Sequence, residues 1–267
     1  MRKENLFWIT GLIFHLFMQH LHAQNVPLGT WNTHLPFTNA VSVASSVNNI
    51  YSASENEVFS YNISDGSIKK FTKAQGLSDI GVTSVGYDTT TSTLVIAYNN
   101  SNVDVIRDGK ITNIPFIKDA SILGDKQIRR IYCKQGEAYL ATGFGVVKIN
   151  LQKQEIPAAY FFNTGGNNFS VNDVWVNDQF IYAATTKGVY RGNNDGNTNL
   201  VNFLEWEKFD LADGLPEENI SSIAGFRDEV FASTGNLVYR FDGDSWIPYY
   251  TMPITNATSM LKTATRL

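Results

Sequence analysis

Five short segments of the chain share one alternation of apolar and small residues. They are Ile50-Tyr51-Ser52-Ala53-Ser54, Leu94-Val95-Ile96-Ala97-Tyr98, Ala138-Tyr139-Leu140-Ala141-Thr142, Ile181-Tyr182-Ala183-Ala184-Thr185 and Val230-Phe231-Ala232-Ser233-Thr234. Their central residues stand at 53, 97, 141, 184 and 233, spaced by 44, 44, 43 and 49. Alternation of period two predicts strands, and self-similarity at a fixed period predicts a repeat architecture. A further strand follows each segment, at 58–61, 103–106, 146–149, 189–191 and 237–241, and another precedes it, as at 41–44, 82–85 and 220–224. Turns are predicted at Asp65-Gly66, Asp108-Gly109, Asp195-Gly196 and Asp242-Gly243, since Asp-Gly accepts the positive φ of a tight hairpin. The third repeat has Asn150-Leu151-Gln152-Lys153 in that place.

Two longer matches confirm the period. Lys70-Phe71-Thr72-Lys73-Ala74-Gln75-Gly76-Leu77 agrees with Lys208-Phe209-Asp210-Leu211-Ala212-Asp213-Gly214-Leu215 at five positions, an offset of 138 or three periods of 46. Pro36-Phe37-Thr38-Asn39-Ala40-Val41-Ser42 recurs as Pro253-Ile254-Thr255-Asn256-Ala257-Thr258-Ser259, an offset of 217 or five periods. Three to four short strands per repeat of this length predict an all-β fold, a β-propeller of four-stranded blades. The blades fall near 39–78, 79–125, 126–169, 170–217 and 218–252, within a propeller domain at 24–267. Residues 253–267 repeat an innermost strand and so open a sixth blade. Because propellers close to remove their edge strands, the expectation is a fragment of a propeller, with five blades and the start of a sixth.

Ahead of the repeats, Met1-Arg2-Lys3 is basic, 6–18 is apolar apart from Thr10 and His15, and Ala23 is small. This predicts a signal peptide over 1–23, since 13 residues fall short of the roughly 20 a spanning helix needs. The chain is expected to be exported, to the periplasm or the outer-membrane cell surface, with no transmembrane segment after residue 23.

Composition narrows the chemistry. Of 267 residues, 43% are hydrophobic and 17% charged, which is globular usage, and the net charge of −4 gives no basic face for nucleic acid. Three of the four histidines lie in the export signal, which leaves His34 and the single Cys133. No zinc site can be built from those two, and Cys133 reads as a small core residue. No cofactor or metal is expected. A glycosidase would need paired carboxylates; Asp79, Asp173 and Glu218 are the candidates near the inner strand starts. Asp and Glu beside Gly and Asn read better as solvated turn residues, so no catalysis is expected. Asp242-Gly243-Asp244 lacks the ligands of a calcium loop and reads as a turn. Trp31, Trp175, Trp206 and Trp246 read as blade packing. One polar column remains: Asn39, Gln127, Asn172 and Asn219, with Gly81 in the same place in the second blade. These residues would ring one mouth of the central channel and bind a sugar or a partner loop, or they start strands by bonding their own backbone.

The stretch Gly214-Leu215-Pro216-Glu217-Glu218-Asn219-Ile220-Ser221-Ser222-Ile223, followed by Val230 to Thr234 and by Leu237-Val238-Tyr239-Arg240-Phe241-Asp242, resembles the two-component-regulator propeller repeat. The run Gly29-Thr30-Trp31-Asn32-Thr33-His34-Leu35-Pro36-Phe37, continuing to Ser52-Ala53-Ser54-Glu55-Asn56, resembles the N-terminal propeller of the PorZ family of type IX secretion components. That resemblance implies two seven-bladed propellers and a C-terminal sorting domain, of which this chain would hold part of the first. It implies a non-catalytic role at the cell surface, in a complex with the sortase, assisting attachment of anionic lipopolysaccharide to secreted cargo. The blade repeat also admits the periplasmic sensor propeller of a hybrid two-component regulator that detects oligosaccharides.

Overall fold

The computed structural model describes residues 39–216 and 218–253, together with Met260. The expected signal peptide lies outside the described residues, as do His34, Trp31 and, apart from Pro253 and Met260, the expected start of a sixth blade.

Each repeat folds into a four-stranded antiparallel meander, and there are five among the described residues. Sheet 1 holds β1 (Ala40–Ser45), β2 (Asn49–Ser54), β3 (Val58–Asn62) and β4 (Ile68–Phe71). Sheet 2 holds β5 (Val82–Asp88), β6 (Thr93–Tyr98), β7 (Val103–Arg107) and β8 (Lys110–Ile114). Sheet 3 holds β9 (Ile128–Lys134), β10 (Glu137–Thr142), β11 (Gly145–Asn150) and β12 (Glu155–Phe161). A small hairpin, β13 (Asn163–Thr164) and β14 (Asn167–Asn168), precedes sheet 4: β15 (Val171–Val176), β16 (Phe180–Thr185), β17 (Gly188–Asn193) and β18 (Glu207–Phe209). Sheet 5 holds β19 (Ser222–Phe226), β20 (Glu229–Thr234), β21 (Leu237–Phe241) and β22 (Trp246–Thr251). The one α-helix among the described residues is the four-residue α1 (Phe116–Asp119). The propeller expectation is met.

The five alternating segments are the second strands β2, β6, β10, β16 and β20. In sheets 2 to 5 these strands are buried on both faces, and all six residues of β6 are buried; in β2 only Ala53 and Ser54 are buried. Four apolar clusters fill the four junctions. Ala53, Val58 and Phe71 meet Val85, Leu94 and Ile96 between sheets 1 and 2, and Val95 and Val105 meet Ile131 and Leu140 between sheets 2 and 3. Tyr160 and Phe162 meet Val174 and Tyr190 between sheets 3 and 4, and Val189 and Phe209 meet Ile223 and Trp246 between sheets 4 and 5. At ~25 cal/mol per Å² of apolar surface removed from water, these layers hold successive sheets together.

Turn chemistry follows the sequence at Asp108-Gly109, where φ is 51° and 76° and Arg107 faces Lys110 across a two-residue loop. At Asp195-Gly196 it differs. The chain leaves β17 and makes a long excursion before β18, because Leu200, Phe203 and Trp206 of that loop pack into the cluster with Phe162 and Tyr190.

Candidate functional site

The first strands of all five sheets line one cavity of about 500 Å³, walled by Tyr87, Tyr132, Trp175 and small residues such as Ala44, Gly86 and Gly225. Two of those glycines are explained by packing. A Cβ on Gly225 would lie 1.9 Å from Cζ2 of Trp175, and one on Gly86 would lie 2.6 Å from Cγ2 of Ile131. Cys133 also faces the cavity, and burial first, then the Asp88 charge, pushes its thiol pKa well up, so it stays neutral.

One rim of this cavity is set by a β-bulge repeated in the first strands. Pairing shifts register between Ala40 and Ser42, Val82 and Ser84, Ile128 and Arg130, and Val171 and Asp173. The extra residue in each case is Val41, Thr83, Arg129 or Asn172. A bulge of this kind re-aims side chains, and here it aims two successive ones at the next sheet. From the bulge itself, Thr83 Oγ1 donates to the Ile128 carbonyl of sheet 3 at 3.0 Å. Asn172 Nδ2 donates to the Ile220 carbonyl at 2.8 Å and to Asn219 Oδ1 at 3.1 Å. Arg129 Nη2 donates to Ser170 Oγ at 3.3 Å.

The residue after the bulge makes the second bond. Ser42 Oγ accepts from the Val85 amide at 3.1 Å, and Asp173 Oδ2 accepts from the Ile223 amide at 3.1 Å and from Ser222 Oγ at 2.6 Å. Ser222 Oγ in turn accepts from the Met260 amide at 3.0 Å. The series is broken at sheet 2, where the buried Ser84 Oγ makes no hydrogen bond, and at sheet 3, because Arg130 carries no acceptor. There the Val174 amide is satisfied by Asp173 Oδ1 at 2.9 Å instead, and Arg130 Nε stands 3.7 Å from that same oxygen. Burial pushes the Asp173 carboxyl above its usual range, opposed first by the Arg130 charge and then by the hydrogen bonds from Ser222, Ile223 and Val174.

These positions decide where the expected polar column stands. Ser42, Ser84, Arg130, Asp173 and Ser222 each pair with a small residue of the second strand. Three residues before them come Asn39, Gly81, Gln127, Ser170 and Asn219. Asn172 is not in that column: it is the bulge residue, two places after Ser170, as Val41, Thr83 and Arg129 are in their strands. It reaches Asn219 from the neighbouring sheet, while Asn39 and Gln127 are exposed and joined to neither. Of the carboxylates, Asp79 accepts from Asn100, Asn102 and Lys118. Burial works to raise its pKa, but those donors outweigh it and hold the group below its ordinary value. Asp173 is only 4% exposed. Glu218 is exposed, and its backbone carbonyl accepts the Gly188 amide. Asp242 takes the amides of Asp244 and Ser245 in a turn. Among the described residues no group of three His, Cys, Asp or Glu side chains is placed to hold a metal, and no helix is long and apolar enough to cross a membrane.

Over residues 50–207 the sequence matches the family described as the type IX secretion, PorZ, N-terminal beta-propeller domain. The chain belongs to that family. Among solved structures it is similar to PorZ, an essential bacterial surface component of the type IX secretion system of Porphyromonas gingivalis. That match has 23% identity and a TM-score of 0.72, and covers 82% of this chain and 29% of that one. It is also similar to the extracellular domain of the one-component system BT4673 of B. thetaiotaomicron, at 15% identity and a TM-score of 0.59, covering 77% and 27% of the two chains. A second structure of BT4673, described as a hybrid two-component system, aligns at 14% identity with a TM-score of 0.54, over 83% and 36%. At these identities the likeness establishes the fold, and the chain spans under a third of PorZ. No curated protein matches the sequence.

Proposed function

We propose that this propeller is the non-catalytic binding and scaffold module of a PorZ-like type IX secretion component, exported to the cell surface. There it assists sortase-linked attachment of anionic lipopolysaccharide to secreted cargo, with the sortase complex as protein partner. The observation that carries the reading is the family match over residues 50–207. The fold agrees with it: Asp173 is tied up in inter-sheet bonds and Asp79 is held by Asn100, Asn102 and Lys118, which suits a scaffold. Ligand contact is assigned to the exposed mouth amides Asn39, Gln127 and Asn219. Asn172 shares that mouth, with its amide already bonded to sheet 5.

The test is binding of the purified chain to a type IX sortase, and to anionic and neutral lipopolysaccharide from the same bacterium, by surface plasmon resonance. Binding to the sortase or selectively to the anionic form supports the reading; binding to neither overturns it. The likeness to the BT4673 extracellular domain favours a second reading, a sensor propeller for oligosaccharides. Neutral oligosaccharides binding in place of lipopolysaccharide and sortase would favour that one.

A further inference from the structure

Three of the four junctions between sheets are plugged at the end where first strands turn into second strands. Between sheets 2 and 3 the plug is Leu151, fully buried, from the loop after β11. Between sheets 3 and 4, Leu200 and Trp206 enter from the loop after β17, and Lys148 Nζ stands over the Tyr139 ring at 5.6 Å. Between sheets 4 and 5 the Arg191 guanidinium lies over the Phe241 ring at 5.3 Å.

Between sheets 1 and 2 both sources of a plug are small. Ser60 pairs with Tyr51 and Lys69, as Lys148 pairs with Tyr139 and Ala158 and Arg191 with Tyr182 and Glu207. A serine therefore stands where the later sheets send a long side chain. The counterpart of the Leu151 loop is the two-residue turn Asp108-Gly109, which carries no apolar side chain. A cavity of about 270 Å³ remains. Buried Phe71, Leu94 and Ile106 form its inner wall, beside the stacked rings of Tyr51 and Tyr87. Lys69 and Asp108, both exposed, stand at its mouth. Among the described residues neither is in an ion pair. The volume falls just under the roughly 300 Å³ at which sites for drug-sized ligands begin, which suits a compact guest.

We propose that this cavity binds a free α-amino acid with a large apolar side chain. The side chain takes the place that Leu151 and Leu200 fill in the next two junctions, and its transfer from water onto Phe71, Leu94 and Ile106 drives entry. The α-carboxylate meets Lys69 and the α-ammonium meets Asp108, so each end of the zwitterion finds an opposite charge. The cavity lies at the far end of the first strands from Asn39, Gln127 and Asn219. It adds a ligand to the secretion role without depending on it.

The test is isothermal titration calorimetry on the full chain with L-leucine and L-phenylalanine as probes. Both should bind saturably, and L-alanine about tenfold or more weakly, since it lacks the methylenes that fill the cavity. N-acetyl-leucine and leucine amide each lack one charge and should also lose about tenfold or more. Lys69→Met should weaken leucine by a similar factor and leave leucine amide unchanged; Asp108→Asn should weaken leucine and leave N-acetyl-leucine unchanged. Ser60→Leu fills the cavity from within, and should abolish binding while raising the melting temperature by about 2 °C or more. Absence of saturable binding by either amino acid would overturn the proposal. So would leucine amide and N-acetyl-leucine binding as tightly as leucine, or a Ser60→Leu chain that binds undiminished or melts below the wild type.

Discussion

Replacing Asp173 with Ala is the sharpest test of how the sheets are held. The side chain receives the Ser222 hydroxyl at 2.6 Å, the Val174 amide at 2.9 Å and the Ile223 amide at 3.1 Å, with Arg130 at 3.7 Å. Truncation leaves two buried amides without their acceptor, at about 1–3 kcal/mol each, and takes the counter-charge from Arg130. Removing a carboxylate that burial already disfavours returns part of this, so the net loss is about 3–5 kcal/mol, the range for breaking a buried pair. For a domain of this size, with about 2–4 °C per kcal/mol, the melting temperature should fall by about 6–20 °C. Asp173→Asn keeps one acceptor oxygen and should lose less. The acid limb gives a second readout. The folded carboxyl is more easily protonated than the unfolded one, whose ordinary value is 3.8, so the folded state binds more protons in the window above that value. Asp173 therefore makes wild-type stability fall as pH rises from about 4 through its raised folded pKa, and that fall is absent without it. The destabilisation by Asp173→Asn should accordingly be larger near pH 4 than at pH 7. Thermal melts across pH decide it: a loss under about 1 kcal/mol, or a destabilisation that grows with pH, would refute the clasp.

Three further expectations follow from the same geometry. Asn172→Ala should cost about 1 kcal/mol through its two inter-sheet bonds, while Asn39→Ala, on an exposed amide, should change stability by under about 0.5 kcal/mol; chemical denaturation of both compares them directly. Gly225→Ala drives a methyl into Trp175 and should cost about 1–3 kcal/mol, with a change in near-ultraviolet circular dichroism from the displaced indole. The Cys133 thiol, kept neutral by burial and by Asp88, should react with a disulfide reagent at pH 8 at least about tenfold more slowly in the folded chain than after unfolding.

The architecture was legible because a propeller repeats its nearest-neighbour contacts. The same burial demand recurs at Ala53, Ala97, Ala141, Ala184 and Ala232 or Ser233, and writes itself into the chain at a nearly constant spacing. The bulges were not legible. They add a residue without disturbing the apolar alternation on either side, so Asn172 read as a strand start when it is the extra residue. Nor does period counting show that the Asp195-Gly196 turn opens a long loop, since that depends on Leu200 and Trp206 finding room against Phe162. One signal for the clasp was present. At 42, 84, 130, 173 and 222, a polar residue stands in each inner strand one place before a Val or Ile.

That polar position also explains the pair at sheets 3 and 4. Serine suffices where one amide must be received, as at Ser42 and Ser222. Arginine at 130 has no acceptor to offer, so the amide of Val174 needs another, and a carboxylate at 173 supplies two oxygens where serine supplies one. One oxygen takes the orphaned Val174 amide, and the other performs the ordinary task toward Ile223. The carboxylate is thus called for by the hydrogen-bond count before charge is considered. Its neighbour Arg130, a quarter exposed at the cavity rim, then balances the charge that burial would otherwise expel. A buried Asp beside an Arg in a cavity wall has the outward form of a catalytic site. In this propeller the carboxylate keeps the amides of Val174 and Ile223 bonded, with the Arg130 charge beside it.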